Sequence, residues 1–149
     1  MRAPHTHESE PTFTRKVLAP VVRRVLSDFS GIPFQFRGDG GDEAAVPANA
    51  LDISFFPDLA VSVGNQHIWA AEVKILRNES RQGSIVAAIG QAALYRSRYE
   101  NVAVILIDAA PAPKELQVKF EQQLNQFGVQ SILRPALGNN LIPSYREMP

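Results

Sequence analysis

Alternation of apolar and polar residues singles out the middle of the chain. Leu59, Val61 and Val63 fall on one side of an extended segment, with Asp58, Ala60 and Ser62 on the other. After Gly64-Asn65-Gln66 the pattern resumes. Trp69, Ala71, Val73 and Ile75 share one face, and Ala70, Glu72 and Lys74 share the opposite one. This predicts a β-hairpin with the odd-numbered residues in the core and the even-numbered ones on the solvent side. The two apolar faces coincide only if odd residues pair with odd. A three-residue loop, Gly64 to Gln66, achieves this and sets Asp58 roughly opposite Glu72. The commoner two-residue Gly64-Asn65 turn would put Glu72 against the core, so the pattern rejects it.

Helical spacing appears on either side. From Pro11, Leu18, Val22, Val25 and Phe29 form a stripe, with Gly31 as a stop. Pro20 predicts a kink or a fresh start within it. Ile32–Arg37 reads as a short strand and residues 38–50 as a flexible loop. Residues 51–54 extend the hairpin's first strand backward, with Phe55-Phe56-Pro57 as an interruption. Arg77–Gly83 reads as a loop and Ser84–Tyr99 as a helix. Ile85, Val86, Ile89, Ala92 and Ala93 of that helix should pack on the sheet, with Ser84, Ala88, Gln91, Tyr95 and Arg98 on another side. Asn101–Asp108 is almost continuously apolar, as a strand buried on both faces is. Leu116, Phe120, Leu124 and Phe127 mark a helix from Lys114, closed by Gly128, and Val129–Leu133 a last strand at an edge. The elements predict one mixed α/β domain over residues 11–135, with a flexible N-terminus (1–10) and a C-terminal tail (136–149).

Composition narrows the class. The chain has 149 residues, 45% hydrophobic and 20% charged, enough for one domain with a real core. There is no cysteine, which excludes disulfides and thiolate metal sites and suits the cytoplasm. No apolar run reaches the ~20 residues of a membrane span, so no membrane partner is expected. The formal net charge is zero, so contact with nucleic-acid phosphates would have to come from a local patch. Arg77, Arg81, Arg96 and Arg98 cluster in sequence around the helix after the hairpin and are the candidates.

Two facing carboxylates repel unless one is protonated or a cation lies between them. A hard divalent cation with oxygen ligands fits Asp58 and Glu72. Asp52 is a rival ligand, and Asp58 is preferred because it lies nearer Glu72 along the hairpin. His5, His7, Glu8 and Glu10 read as part of a polar terminus. Asp39, Asp42 and Glu43 lack the spacing of a calcium loop. Trp69 reads as core and His67 as solvated.

Pro57-Asp58, Glu72-Val73-Lys74 and Gln91 through Tyr95 together resemble the PD-(D/E)xK nuclease superfamily, and the QxxxY helix motif is similar to its RecB-type branch. The resemblance covers residues 11–108. It implies a restriction-endonuclease-like αβββαβ core, a mixed central sheet flanked by helices, with an added C-terminal helix and strand. It implies a Mg2+-dependent phosphodiesterase (Mn2+ substituting) that acts on nucleic acid, DNA rather than RNA. Asp58, Glu72 and the Val73 carbonyl would hold the metal. Lys74 would orient water or stabilise developing charge, and Gln91 and Tyr95 would hold phosphate or water. An acidic residue on the first helix belongs to the same pattern, and Glu10 is its candidate. A homodimer would supply the two sites needed to cut both strands of a duplex. The alternative is a non-catalytic module of the same fold that binds nucleic acid or a protein partner.

Overall fold

The computed structural model describes residues 9–108 and 113–135. The expectations for residues 1–8 and 136–149, including His5, His7 and Glu8, lie outside the described residues.

The first helical segment comes in three pieces: α1 (Glu10–Phe13), a π-helical turn (Thr14–Leu18) and α2 (Ala19–Ser27). The Ser9 hydroxyl accepts from the Thr12 N–H at 3.3 Å, so the helix starts at Glu10 and not in a loose terminus. Pro20 cannot donate, and its ring would crowd the Lys16 carbonyl in a regular helix. The widened turn precedes it, with the Ala19 N–H reaching back to the Thr14 carbonyl, and Pro20 falls in the first turn of α2. Phe13, Val17, Leu18 and Ala19 are buried, and Val22 and Leu26 pack beside them. Val25 and Phe29, expected on the buried stripe, are about half exposed, because the sheet meets the neighbouring line Ala19-Val22-Leu26.

Five strands form one mixed sheet in the order β1-β4-β5-β6-β7. They are β1 (Gln35–Gly38), β4 (Leu59–Val63), β5 (Gln66–Leu76), β6 (Asn101–Asp108) and β7 (Val129–Pro135). β1, β4 and β5 pair antiparallel; β5, β6 and β7 pair parallel, with α3 (Arg81–Tyr95) and α4 (Lys114–Gln126) in the connections. Residues 48–55 do not extend β4. Instead β2 (Ala48–Ala50) and β3 (Ile53–Phe55) close a small hairpin of their own, turned by Leu51 and Asp52 at φ +50° and +62°.

The hairpin reaches the expected register by another route. Val63 pairs with Gln66 across a two-residue turn, with Gly64 at φ +58°. A bulge then follows. Ser62 pairs with His67 but Val61 pairs with Trp69, so Ile68 is the extra residue. Leu59 faces Ala71, the last pair of the ladder, and the Asp58 N–H just before it bonds the Ala71 carbonyl. The favoured turn and the favoured facing are both kept, because the bulge absorbs the one-residue offset.

Both sheet faces are covered. On the odd face of β5, Val73 and Ile75 pack with Phe13, Val17 and Leu18. On the even face, Ala60, Ala70, Val104 and Leu106 pack against Ala88, Ala92 and Tyr95 of α3 and Leu124 of α4. The face expected to meet solvent therefore lies under α3. That helix starts three residues earlier than predicted, after a 3-10 turn (Asn78–Ser80), and it rests on Ala88 and Ala92. Val86 is 63% exposed and Ala93 is also exposed, because alanines let the helix backbone approach the sheet more closely than valine would. Among the described residues no helix is long and apolar enough to cross a membrane.

Candidate functional site

The candidate site lies where β4 parts from β5. β4 begins at Leu59, while β5 runs on to Leu76. On β5, alternate residues Ala71, Val73 and Ile75 direct N–H and C=O toward the β4 side. Among the described residues no strand receives them beyond Ala71. Carboxylates take over that role. The Val73 N–H donates to Asp58 Oδ2 at 2.7 Å, and the Ile75 N–H donates to Glu10 Oε1 at 3.2 Å. By the same alternation, the Val73 carbonyl points into this fork.

Asp58 is held from three directions. Its own N–H donates to the Ala71 carbonyl (3.0 Å), its carbonyl accepts from the Asp39 N–H (2.7 Å), and Val73 binds its side chain. Gly38 makes this possible. A Cβ there would lie 2.3 Å from the Asp58 carbonyl oxygen, and the residue has φ +96°. Sequence reasoning missed Gly38, whose only signal was its place in a glycine-rich stretch after a short strand.

Glu72 is 2% exposed and is surrounded by polar partners from β5 and α3. Lys74 Nζ lies 3.0 Å from Glu72 Oε1 and 4.0 Å from Glu10 Oε2. The neighbours of Gln91 assign its amide nitrogen to the side of two acceptors, where it donates to Glu72 Oε1 (3.0 Å) and the Ala87 carbonyl (3.3 Å). The Tyr95 hydroxyl lies 2.8 Å from Glu72 Oε2 and 2.9 Å from the Phe56 carbonyl. Gln91 and Tyr95 reach one carboxylate because they sit one helical turn apart. Asp58, Glu72, Val73, Lys74, Gln91, Tyr95 and Glu10 thus meet in one place. Asp58 and Glu72 are close enough for their charges to interact, but Asp58 lies just past the last ladder pair and Glu72 is enclosed.

Burial, then the charge of Glu72, pushes the Asp58 carboxyl up to about 7, against the Val73 hydrogen bond and the Lys74 charge, which pull it down. Burial also raises Glu72, with Lys74 opposing. Burial alone would lower Lys74, but the charge and hydrogen bond of Glu72, with Glu10 and Asp58, raise it. Tyr95 is raised by burial and by Glu72. The pocket therefore favours a cationic lysine and resists carrying two bare carboxylates.

The donor set is all oxygen: Asp58, Glu72, the Val73 carbonyl and Glu10. Among the described residues no group of three or more His, Cys, Asp or Glu side chains is arranged to hold a metal ion. Mg2+ keeps several waters and binds through one or two carboxylates, so the residues present fit that ion.

Other candidates lie apart. Asp52 is at the exposed tip of the β2–β3 hairpin. The four arginines do not form one patch. Arg77 and Arg81 stand at the start of α3, while Arg96 and Arg98 follow its end, about 22 Å along the axis. Arg81 pairs with Asp108, which is wholly buried. Arg96 donates to the Glu100 carbonyl and lies over Gly128. His67 is half-buried, not solvated, with Nδ1 3.2 Å from the Ser62 hydroxyl and its ring against Tyr99. Trp69 packs at the margin of the odd-face core. Asp42 and Glu43 pair with Arg23 and Arg37.

Compared with protein-family models, curated proteins and solved structures, the chain has no significant match.

An open cleft of about 800 Å3 adjoins the site, lined by Glu10, Lys74 and the polar first turns around α3. It gives a ligand access to Lys74, which is 19% exposed.

Proposed function

We propose that this protein is a metal-dependent nuclease of the PD-(D/E)xK type, hydrolysing phosphodiester bonds of nucleic acid, DNA rather than RNA. The observation that carries the reading is the meeting of Asp58, Glu72 and Lys74 at the fork between β4 and β5. The order helix, three meander strands, helix, parallel strand supports a restriction-endonuclease-like core.

Asp58, Glu72 and the Val73 carbonyl would hold Mg2+, with Glu10 as a further oxygen donor. Bound there, the ion would supply Lewis-acid polarisation of the phosphate and a more acidic water. Lys74, kept protonated by its acidic neighbours, would stabilise negative charge growing on the phosphoryl oxygens. Gln91 and Tyr95 would fix the orientation of Glu72. Val73 and Ile75 would fix Asp58 and Glu10 through backbone amides, which no side-chain rotation can withdraw.

The test incubates the protein with single- and double-stranded DNA and RNA, with Mg2+, Mn2+ or chelator. Metal-dependent cleavage, lost in Asp58→Asn, Glu72→Gln and Lys74→Ala, is expected. Cleavage that persists with chelator or in Lys74→Ala contradicts the mechanism.

One observation favours a second reading, a non-catalytic module that binds nucleic acid or a protein partner. Both Glu72 oxygens are already met by protein groups, Lys74 and Gln91 on one and Tyr95 on the other. Folded protein that cleaves no substrate under any of these conditions would favour that reading.

A further inference from the structure

We infer that the cleft beside Lys74 is a subsite for a nucleic-acid phosphate next to the one cleaved, with Arg81 as its ligand and Asp108 as the residue that positions Arg81. This rests on the proposed phosphodiesterase reading and adds a substrate requirement to it: a strand carrying more than one phosphate.

The cleft has the volume of a ligand site and opens directly off Lys74 and Glu10. A strand with its scissile phosphate at Lys74 must leave along some path, and this cleft offers one. Arg81 lies in its wall with the side chain one-third exposed. Both terminal nitrogens of Arg81 donate to the two oxygens of Asp108, a side chain with no exposure. That fork uses two of the five guanidinium N–H groups. The rest remain on its other edges, held at a fixed orientation. Asn78, Ser80 and Ser84 add neutral side chains that can donate. Glu79 at the rim and Glu10 in the lining are the carboxylates that oppose a phosphate.

Two positions allow tests that leave the fold alone. At Gly83, in the cleft wall, an added Cβ meets nothing within 4 Å and φ is not positive. A Gly83→Glu substitution therefore places an anion at the cleft wall with no clash at its Cβ. Glu79→Gln removes an anion from the exposed rim. The two changes should act with opposite sign.

The experiment measures kcat/KM on a short oligonucleotide and on thymidine 5′-p-nitrophenyl phosphate, a diester with no neighbouring phosphate. The ratio of the first to the second should fall about tenfold in Gly83→Glu and in Arg81→Lys, and rise in Glu79→Gln. Asp108→Asn should raise the oligonucleotide KM more than it lowers kcat. A ratio that stays constant in both Gly83→Glu and Glu79→Gln overturns the subsite. If neither compound is hydrolysed, the phosphodiesterase reading fails, and anisotropy of a labelled oligonucleotide without metal decides the subsite. Weaker binding in Gly83→Glu with tighter binding in Glu79→Gln supports it, and no change in either overturns it.

Discussion

Glu72 is the residue on which the site's hydrogen bonding converges. Its two oxygens receive Lys74, Gln91 and Tyr95 while almost no solvent reaches it. Lys74 and Gln91 share Oε1, while Tyr95 serves Oε2. Tyr95→Phe removes the one hydroxyl hydrogen shared between Glu72 Oε2 and the Phe56 carbonyl, and should cost about 1–3 kcal/mol in thermal or urea unfolding. No loss would mean that the hydroxyl does not carry those bonds. Gly38 acts on Asp58 through the backbone. Gly38→Ala forces a Cβ onto the Asp58 carbonyl and should lower both stability and any metal affinity, whereas substitution of the open Gly64 turn should touch stability alone. Equal effects on metal affinity at the two glycines would contradict this assignment of Gly38. The closeness of Asp58 and Glu72 was legible because strand alternation has period two and sets Leu59 against Ala71. Gly38 was not, because its role depends on contact with a residue twenty positions away.

The elements differ in how much of them local pattern revealed. β6 matches its predicted span, because an uninterrupted apolar run of that length has few alternatives as a strand between parallel neighbours. The register of β4 and β5 was legible, but the bulge at Ile68 was not, since it leaves the alternation beyond it unchanged. The helix stripes were legible only to within one residue. Val25 and Val86 fit helical spacing as well as Leu26 and Ala88 do, and the choice between them is made by the sheet. The β2–β3 hairpin was missed because its turn uses Leu51 and Asp52 where glycine or asparagine is usual. Holding leucine at φ +50° costs free energy that Asn-Gly would not. Replacing Leu51-Asp52 with Asn-Gly should stabilise the protein by about 1 kcal/mol, read as a rise in Tm. A fall in Tm would show that the leucine has contacts that offset its backbone strain.

For the whole molecule, two helical layers close over a mixed sheet and leave an acidic fork at one end. The Asp58 carboxyl rises from 3.8 to about 7 on folding, so between those values the folded protein binds the additional proton. Without metal, the Asp58 contribution to stability should therefore be greatest toward pH 4, fall as pH rises to about 7, and level off above. Asp58→Asn should remove that contribution from the pH slope, and Mn2+ should restore Tm at pH 7.5. A metal-free protein whose pH slope is the same with and without Asp58→Asn would contradict the burial of Asp58. The fold class was legible because helical and strand periods alternate cleanly from residue 59 onward. The enclosure of the site was not, because the sequence does not say which helix covers which face.

The most direct measurement is a calorimetric titration of Mn2+ into the protein at pH 7.5, repeated with Glu72→Gln and Asp58→Asn after circular dichroism has shown both to be folded. A saturable site in the unsubstituted protein, lost in each variant, is the expected result. No site at all, or one that survives both substitutions, would contradict the claim that these carboxylates are gathered to hold a metal ion.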